Sequence, residues 1–352
     1  MPLSKHSWSL QYIRLQLTVF LLRGISWLVL GATRAKPRLV EGVVRKRISI
    51  PSREEGRNII VDTYQSEEHG NIKPTPVLVN MHGSGFILPS LGTNALYCSV
   101  VAARTKCIVY DIDYRKAPEN PFPAAIQDVE DAVVHLGAHP DQFDASNIFL
   151  SGFSAGGNLA LCTAAMLGPA RIKGVAAFYS SVDCTTHDPI APRTDFRDGH
   201  PISPWLRKLF YDSYALPGQA RDDPRISSLF APAESFPKHV YYACGDADTL
   251  HDPGAQLIKK LKDAGHGDAT FVTIEHQAHG FDTGAKEGTE SAVQRDQMYG
   301  DAVDMINRAI ELGQMEVANF ITQIPFQFHT TKAVLRDAMH LQGSTEHAMV
   351  YE

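Results

Sequence analysis

From residue 43 onward, short apolar runs alternate with longer segments of helical spacing. Residues 43–50 and 59–64 predict the first two strands, separated by a polar, turn-rich stretch at 51–58. PVLVNM at 76–81 and CIVYDI at 107–112 are short apolar runs of the kind a buried strand shows. Residues 122–136 have helical spacing and begin just after Pro121, a first-turn signal. Residues 147–151 predict a strand and 154–167 a buried, Ala-rich helix. Three more strands are predicted at 174–179, 239–243 and 269–275. Two more helices are predicted at 253–264, stopped by Gly265, and at 292–312. Strands alternating with helices imply an α/β fold whose mostly parallel central sheet is covered by helices on both faces.

Three stretches break this rhythm. Residues 183–221 are Pro-rich and polar and then helical over 205–214, which reads as a cap insertion over the sheet edge. Residues 8–32 are rich in apolar side chains but are interrupted by Arg14 and Arg23. No run there reaches the ~20 clean apolar residues of a spanning helix, and Arg23 falls where a signal peptide needs an unbroken apolar core. At about 100° per residue the two arginines lie on opposite faces of one helix, so a single helix lying on a membrane fits badly. Gly24 suggests two short helices, 8–23 and 25–30. The favoured reading is a helical cap packed on the domain, with peripheral membrane contact through residues 8–32 as the alternative. Residues 313–352 look helical and partly polar and carry no chemical motif. The expected organisation is an N-terminal helical segment (1–42), a catalytic domain (43–312) with its insertion at 183–221, and a C-terminal extension (313–352).

Composition narrows the function. The 352 residues are 44% hydrophobic and 20% charged with a formal charge of −6, which describes a globular chain without the basic excess of a nucleic-acid binder. Cys98, Cys107, Cys162, Cys184 and Cys244 are scattered and form no C-x-x-C pair, which argues against a disulfide framework or zinc ribbon and for a reducing, cytoplasmic compartment. The 15 His form no H-E-x-x-H, and neither a Walker loop nor a G-x-G-x-x-G after the first strand is present, so no metal or organic cofactor is expected. The basic residues Arg34, Lys36, Arg38, Arg45, Lys46 and Arg47 read as a solvated face at the start of a strand.

Two glycine-rich motifs carry chemistry. Gly152-Phe153-Ser154-Ala155-Gly156-Gly157 follows a predicted strand and opens a predicted helix, the setting in which G-x-S-x-G presents a nucleophilic serine on a sharp turn. The helix N-terminus then offers free N–H groups and a positive dipole end to a developing anion. His82-Gly83-Ser84-Gly85-Phe86 follows an earlier strand and matches a glycine-rich oxyanion loop. In this reading the amides of Gly83 and Ser84 join that of Ala155 around a substrate oxyanion, with His82 and Gly85 in support.

A further block, Asp113-Tyr114-Arg115-Lys116-Ala117-Pro118-Glu119-Asn120-Pro121-Phe122-Pro123-Ala124-Ala125, completes a resemblance. From about residue 74 to 312 the chain resembles the hormone-sensitive-lipase-type family of α/β-hydrolases, its fungal and bacterial carboxylesterase-like members in particular. The resemblance implies an α/β-hydrolase fold with a helical cap and carboxylesterase activity. Two departures stand out: Ser84 where the family usually has Gly, and Phe153 where it often has Asp. Neither removes a backbone donor, and Ser84 is expected to narrow the acyl pocket. The family's G-x-x-D-x-L-x-D pattern falls on residues 245–252 and selects Asp248 as the acid, with Asp246 and Asp252 as alternatives; Asp252 suits the cap of a helix starting at Pro253. The family's H-G-F selects His279 as the base, with His276 as competitor. Arg115, Glu119 and Asp113 are expected to form a structural ion-pair network under the oxyanion loop.

These readings converge on a serine hydrolase in which Ser154, Asp248 and His279 cleave short-chain, acetyl-type esters of hydrophobic small molecules. The same triad serves an acyltransferase or lactone-processing enzyme of a biosynthetic, secondary-metabolic pathway, and a non-catalytic ligand-binding member of the fold is the third reading. The expected partner is a small-molecule ester and not a nucleic acid; a homodimer stays open.

Overall fold

The computed structural model describes residues 9–31, 38–68, 73–186 and 190–323. The expectations for residues 1–8, 32–37 and 324–352, and for 187–189 of the cap insertion, lie outside the described residues. Residues 1–309 form one compact unit and 310–352 a second, of which 310–323 are helical.

Among the described residues, eight strands make one sheet: β1 (Val43–Pro51), β2 (Asn58–Ser66), β3 (Thr75–Met81), β4 (Ile108–Ile112), β5 (Phe143–Phe153), β6 (Gly174–Phe178), β7 (His239–Gly245) and β8 (Ala269–Ile274). Their order is β1-β2-β4-β3-β5-β6-β7-β8. β2 pairs antiparallel with β1 and β4, and every other pairing is parallel. The helices are α1 (Leu10–Gly31), α2 (Ala95–Arg104), α3 (Ala124–Gly137), α4 (Ala155–Leu167), α5 (Pro204–Tyr214), α6 (His251–Asp263), α7 (Phe281–Gly284) and α8 (Glu290–Gln323). Adjacent residues of β7 show that both faces are covered. Successive side chains point to opposite sides of a strand: Tyr241 donates to the Met298 carbonyl of α8, while the Tyr242 ring packs against Gly254 of α6.

Most predicted strands and helices lie where their periodicity put them. Two helices, the single turn α7 and the longer α2, have no counterpart in the sequence pattern; α2 is the informative one. It is apolar nearly all round, and Tyr97, Cys98 and Val101 are fully buried, so it carries no amphipathic stripe. The helix expected to start at Pro253 starts at His251, so Asp252 lies inside its first turn and is not its cap.

The N-terminal segment differs more. It is one helix, not two broken at Gly24. A helix-interior glycine costs about 1 kcal/mol relative to alanine, and tertiary contacts outweigh that. Val19 is fully buried with Ile87, Ala117 and Leu209, worth about 1.5–3 kcal/mol by itself. Arg23, next to the glycine, donates to the carbonyls of Ile87 and Ala117 and pairs with Glu119 at 2.8 Å. Among the described residues no helix is long and apolar enough to cross a membrane.

The basic cluster also departs from a merely solvated face. Arg45 and Arg47 of β1 both pair with Asp62 of β2, whose side chain is buried. Strand register aims them there, since Arg47 lies opposite Asp62.

A polar thread crosses the centre of the sheet. Asn80 is in register with Asp111 on one side and Ser151 on the other. Asn80 Nδ2 donates to Asp111 Oδ1 at 2.9 Å, and Ser151 Oγ donates to Asn80 Oδ1 at 2.9 Å. Burial pushes the Asp111 carboxyl up to about 7, although the Asn80 bond opposes the rise. An acid with a raised folded pKa holds its proton longer folded than unfolded, so its contribution to stability falls as pH rises from about 4 to about 7 and is level above. Urea melts across this range are expected to show the wild type losing stability relative to Asp111→Asn; a difference that runs the other way contradicts this account of Asp111.

Candidate active site

The turn from β5 into α4 places Ser154. Its backbone is at φ 54° and ψ −119°, a left-handed conformation rare outside glycine. The turn is this sharp because three backbone segments meet there. A Cβ on Gly156 would lie 2.0 Å from the Met81 carbonyl oxygen of β3, and one on Gly152 would lie 2.3 Å from the Gly156 carbonyl. Glycine at both positions lets α4 run directly over the ends of β3 and β5. Ser154 N–H donates to the Phe178 carbonyl at 2.9 Å, which ties the turn to β6. Phe153 points into the core and stacks on Phe178 with centroids 4.4 Å apart.

Ser154, His279 and Asp248 form one hydrogen-bonded chain. His279 Nε2 is 2.9 Å from Ser154 Oγ, and His279 Nδ1 is 2.7 Å from Asp248 Oδ2. The carboxylate only accepts, so Nδ1 carries the proton and Nε2 offers its lone pair to the serine hydroxyl. Asp248 is buried, and its other oxygen accepts the Leu250 amide at 3.0 Å. The alternative residues are occupied elsewhere. Asp246 pairs with Arg193 at 2.7 Å and accepts the His276 amide. Asp252 is exposed beside His251, and His276 faces Asp195 at 3.0 Å.

The His82–Phe86 loop lies directly beside Ser154. A Cβ on Gly83 would be 3.6 Å from Ser154 Cβ. Among the described residues, the amides of Gly83, Ser84 and Ala155 donate to no protein acceptor. The hydroxyl of Ser84 is engaged within the protein: Tyr114 donates its proton to the His82 carbonyl at 2.7 Å, so Ser84 Oγ donates to Tyr114 Oη at 2.6 Å. Ser84 thus pins the loop. His82 is fully buried, stacks on Tyr114 at 4.8 Å, and has Nδ1 3.1 Å from the Gly83 carbonyl. Burial, with the charge of Lys116 nearby, pushes its pKa down to about 4, so the ring is neutral at pH 7. Burial opposes the charge of Asp113, yet His82 and Lys116 hold that carboxyl down to about 2.

The ion pairs below the loop divide differently from the single network expected. Arg115 binds Asp128 and Glu54, Glu119 reaches out to Arg23 of α1, and Asp113 pairs with Lys116 at 3.0 Å.

Several groups around the site had no motif to reveal them. Residues 197–200 of the insertion run beside the His279 loop: the Arg197 amide donates to the His276 carbonyl, Ala278 to Asp198, and His200 to His279. Gly199 is at φ +92°, and a Cβ there would lie 2.5 Å from the Ala278 carbonyl oxygen, so this close pairing requires glycine. Arg207 of α5, buried, donates to Thr249 beside Asp248. Phe210 of α5 lies against Gly85, and Tyr214 stacks on Phe86 at 4.0 Å. Tyr179 meets the His279 ring edge-on at 4.8 Å while its hydroxyl donates to Asp282, which Tyr299 also binds. The only trace of this last group in the sequence is Asp282 three residues beyond His279. A cavity of about 430 Å³ opens between α1 and α5, with Tyr12, Leu15, Trp205 and Leu209 in its walls; Ser154 is not among them.

A family model described as alpha/beta hydrolase fold matches residues 78–283, more than half of the chain. The chain belongs to the α/β-hydrolase family, in its hormone-sensitive-lipase-like branch. It is 29% identical over 211 residues to a versiconal hemiacetal acetate esterase of Dothistroma septosporum, covering 56% of this chain and 63% of that protein. It is 27% identical over 224 residues to an ethyl acetate hydrolase of Pseudomonas putida, covering 62% of this chain and 70% of that one. Among solved structures, a hyperthermophilic esterase from the archaeon Pyrobaculum calidifontis superposes with a TM-score of 0.68 at 27% identity, over 82% of this chain and 91% of the other. The match spans about six-tenths of the length of several curated relatives.

The close approach at Gly156 gives a direct test. Gly156→Ala forces the Met81 carbonyl and α4 apart, an overpacking expected to cost about 3 kcal/mol. Urea melts of the variant measure it; unchanged stability would mean that the β3–α4 contact is looser than described.

Proposed function

We propose that this member of the α/β-hydrolase family is a serine esterase, and that its substrates are short-chain, acetyl-type esters of hydrophobic small molecules. The observation that carries the reading is the unbroken hydrogen-bonded chain from Ser154 through His279 to Asp248. A serine hydroxyl is a weak nucleophile at neutral pH and needs an adjacent base. Here His279 Nε2 takes the Oγ proton as Oγ attacks the ester carbonyl carbon. Asp248 holds the ring in the required tautomer and stabilises the imidazolium that forms. The carbonyl electrons move onto oxygen, where the amides of Gly83, Ser84 and Ala155 receive them. His279 then returns its proton to the departing alkoxide, leaving an acyl group on Ser154. Water, deprotonated by the same ring, attacks the acyl carbon; the bond to Ser154 Oγ breaks, His279 returns the proton to Oγ, and the acid leaves.

The short acyl chain is supported by two relatives whose names specify acetate esters. It is also supported by Phe210 lying on Gly85, which crowds the oxyanion loop from the cap side. The strained Ser154 backbone adds support for the nucleophile, because strain of this kind persists where surrounding structure enforces it.

Turnover of p-nitrophenyl acetate is expected to fall by roughly 10³-fold or more in Ser154→Ala and, separately, in Asp248→Asn, with the folded state retained. Undiminished turnover in Ser154→Ala sinks the assignment. Rates over p-nitrophenyl esters of rising chain length are expected to peak at acyl chains of about two to four carbons, since pocket contacts discriminate by about 1–3 kcal/mol per methylene; a peak at ten or more removes the short-chain reading. Transfer of the acyl group to an added alcohol in preference to water would replace hydrolysis with acyl transfer at the same serine.

A further inference from the structure

Helix α1 is apolar on the side that faces away from the protein. At 100° per residue, Leu10, Leu17, Phe20, Leu21, Ile25 and Leu28 share an arc of about 140°, opposite the buried Val19. Each is between 58% and 80% exposed. Isolated exposed apolar residues are ordinary, but a contiguous stripe along one helix marks an interaction surface.

Arg14 and Arg23 project from opposite faces of α1, which disfavours a free helix lying on a membrane, but in the folded protein the two faces are not equivalent. Arg23 belongs to the inner face, where the Ile87 and Ala117 carbonyls and Glu119 take its donors. Arg14 is then the only charged side chain within the outer arc. The protein itself supplies the polar side that a free interfacial helix must supply from its own residues.

Charge identifies the occupant. The first 40 residues contain Lys5, Arg14, Arg23, Arg34, Lys36 and Arg38 and no Asp or Glu. The remaining residues carry 27 basic against 39 acidic side chains (33 − 6 basic, all 39 acidic). An apolar stripe within an acid-free, basic segment of an otherwise acidic protein is complementary to an anionic lipid surface. There, apolar side chains enter the acyl boundary while basic ones stay near the headgroups. A second copy docked on the same stripe would set two basic, acid-free segments against each other, because a two-fold contact uses the same patch twice.

We propose that the outer face of α1 docks on an anionic membrane surface, with the helix lying in the plane of the interface and its inner face packed on the hydrolase domain.

The test is co-sedimentation of the full chain with phosphatidylcholine vesicles, with and without about 30% phosphatidylserine. Wild type is expected to sediment with the anionic vesicles and to bind pure phosphatidylcholine about 10-fold more weakly or worse. Leu17→Ser/Phe20→Ser/Leu21→Ser is expected to lose about 10-fold or more of its binding to both, with its melting temperature unchanged because these side chains touch solvent. Arg14→Glu, which leaves the apolar stripe intact, is expected to lose binding to the anionic vesicles only. The proposal is overturned if wild type stays in solution with anionic vesicles, or if the triple variant sediments as wild type does. It is equally overturned if light scattering shows a dimer that the triple variant dissociates while vesicles bind neither protein; the face would then be covered by a second copy.

Discussion

The architecture depends on one close approach. At Gly156 the first turn of α4 passes so near the Met81 carbonyl that no side chain fits between them. Because α4 is held that close, the chain leaving β5 must reverse within a single residue, and that residue is Ser154, driven to positive φ. The same contact brings the end of β3 alongside the turn, so the His82–Phe86 loop that leaves β3 runs beside the serine. Ser154 and the His82–Phe86 loop are thus neighbours through backbone packing.

The other residues around Ser154 come from segments distant in sequence, and the stretch between β6 and β7 joins them. Residues 197–200 pair with the loop that carries His279, Arg207 reaches the turn that carries Asp248, and Phe210 and Tyr214 lie against Gly85 and Phe86 of the His82–Phe86 loop. That stretch is therefore a brace. Behind it, the Tyr179–Asp282–Tyr299 group backs the His279 ring. Burial raises the Asp282 pKa despite the two phenol hydrogen bonds that favour its charge. Fixing a ring by packing from one side and a carboxylate from the other limits its freedom to the geometry that faces Ser154.

Helix α1 shows how one element can satisfy two surfaces. Its inner face is specified by Val19 in the core and by Arg23 at the carbonyls of Ile87 and Ala117, while its outer face is apolar and open. Summed over the whole helix, composition describes neither face. Hydrophobicity along the chain registers an apolar segment interrupted by charge, and only the contacts tell which charge is internal.

Sequence by itself determined the alternation of strands and helices and the two glycine-rich motifs, and it marked Ser154 as a candidate, because each is a local pattern. Strand burial shows as an apolar run, and a turn with no room for a Cβ shows as glycine. It also marked Asp248 and His279 through the motifs around them, with Asp246, Asp252 and His276 as neighbours of the same chemical kind. Only the tertiary structure separates these by their contacts: it joins Asp248 and His279 to Ser154, and pairs Asp246 with Arg193 and His276 with Asp195. It alone disclosed α2, whose partly exposed face (Leu96, Val100, Ala103) is as apolar as its buried one, which erases any stripe, and the continuity of α1 through Gly24, where packing outweighs a weak local preference. It also turned the hydroxyl of Ser84 toward Tyr114. The reason is common to all of these: pairing between residues far apart in the chain depends on which elements pack side by side, and no local pattern encodes that.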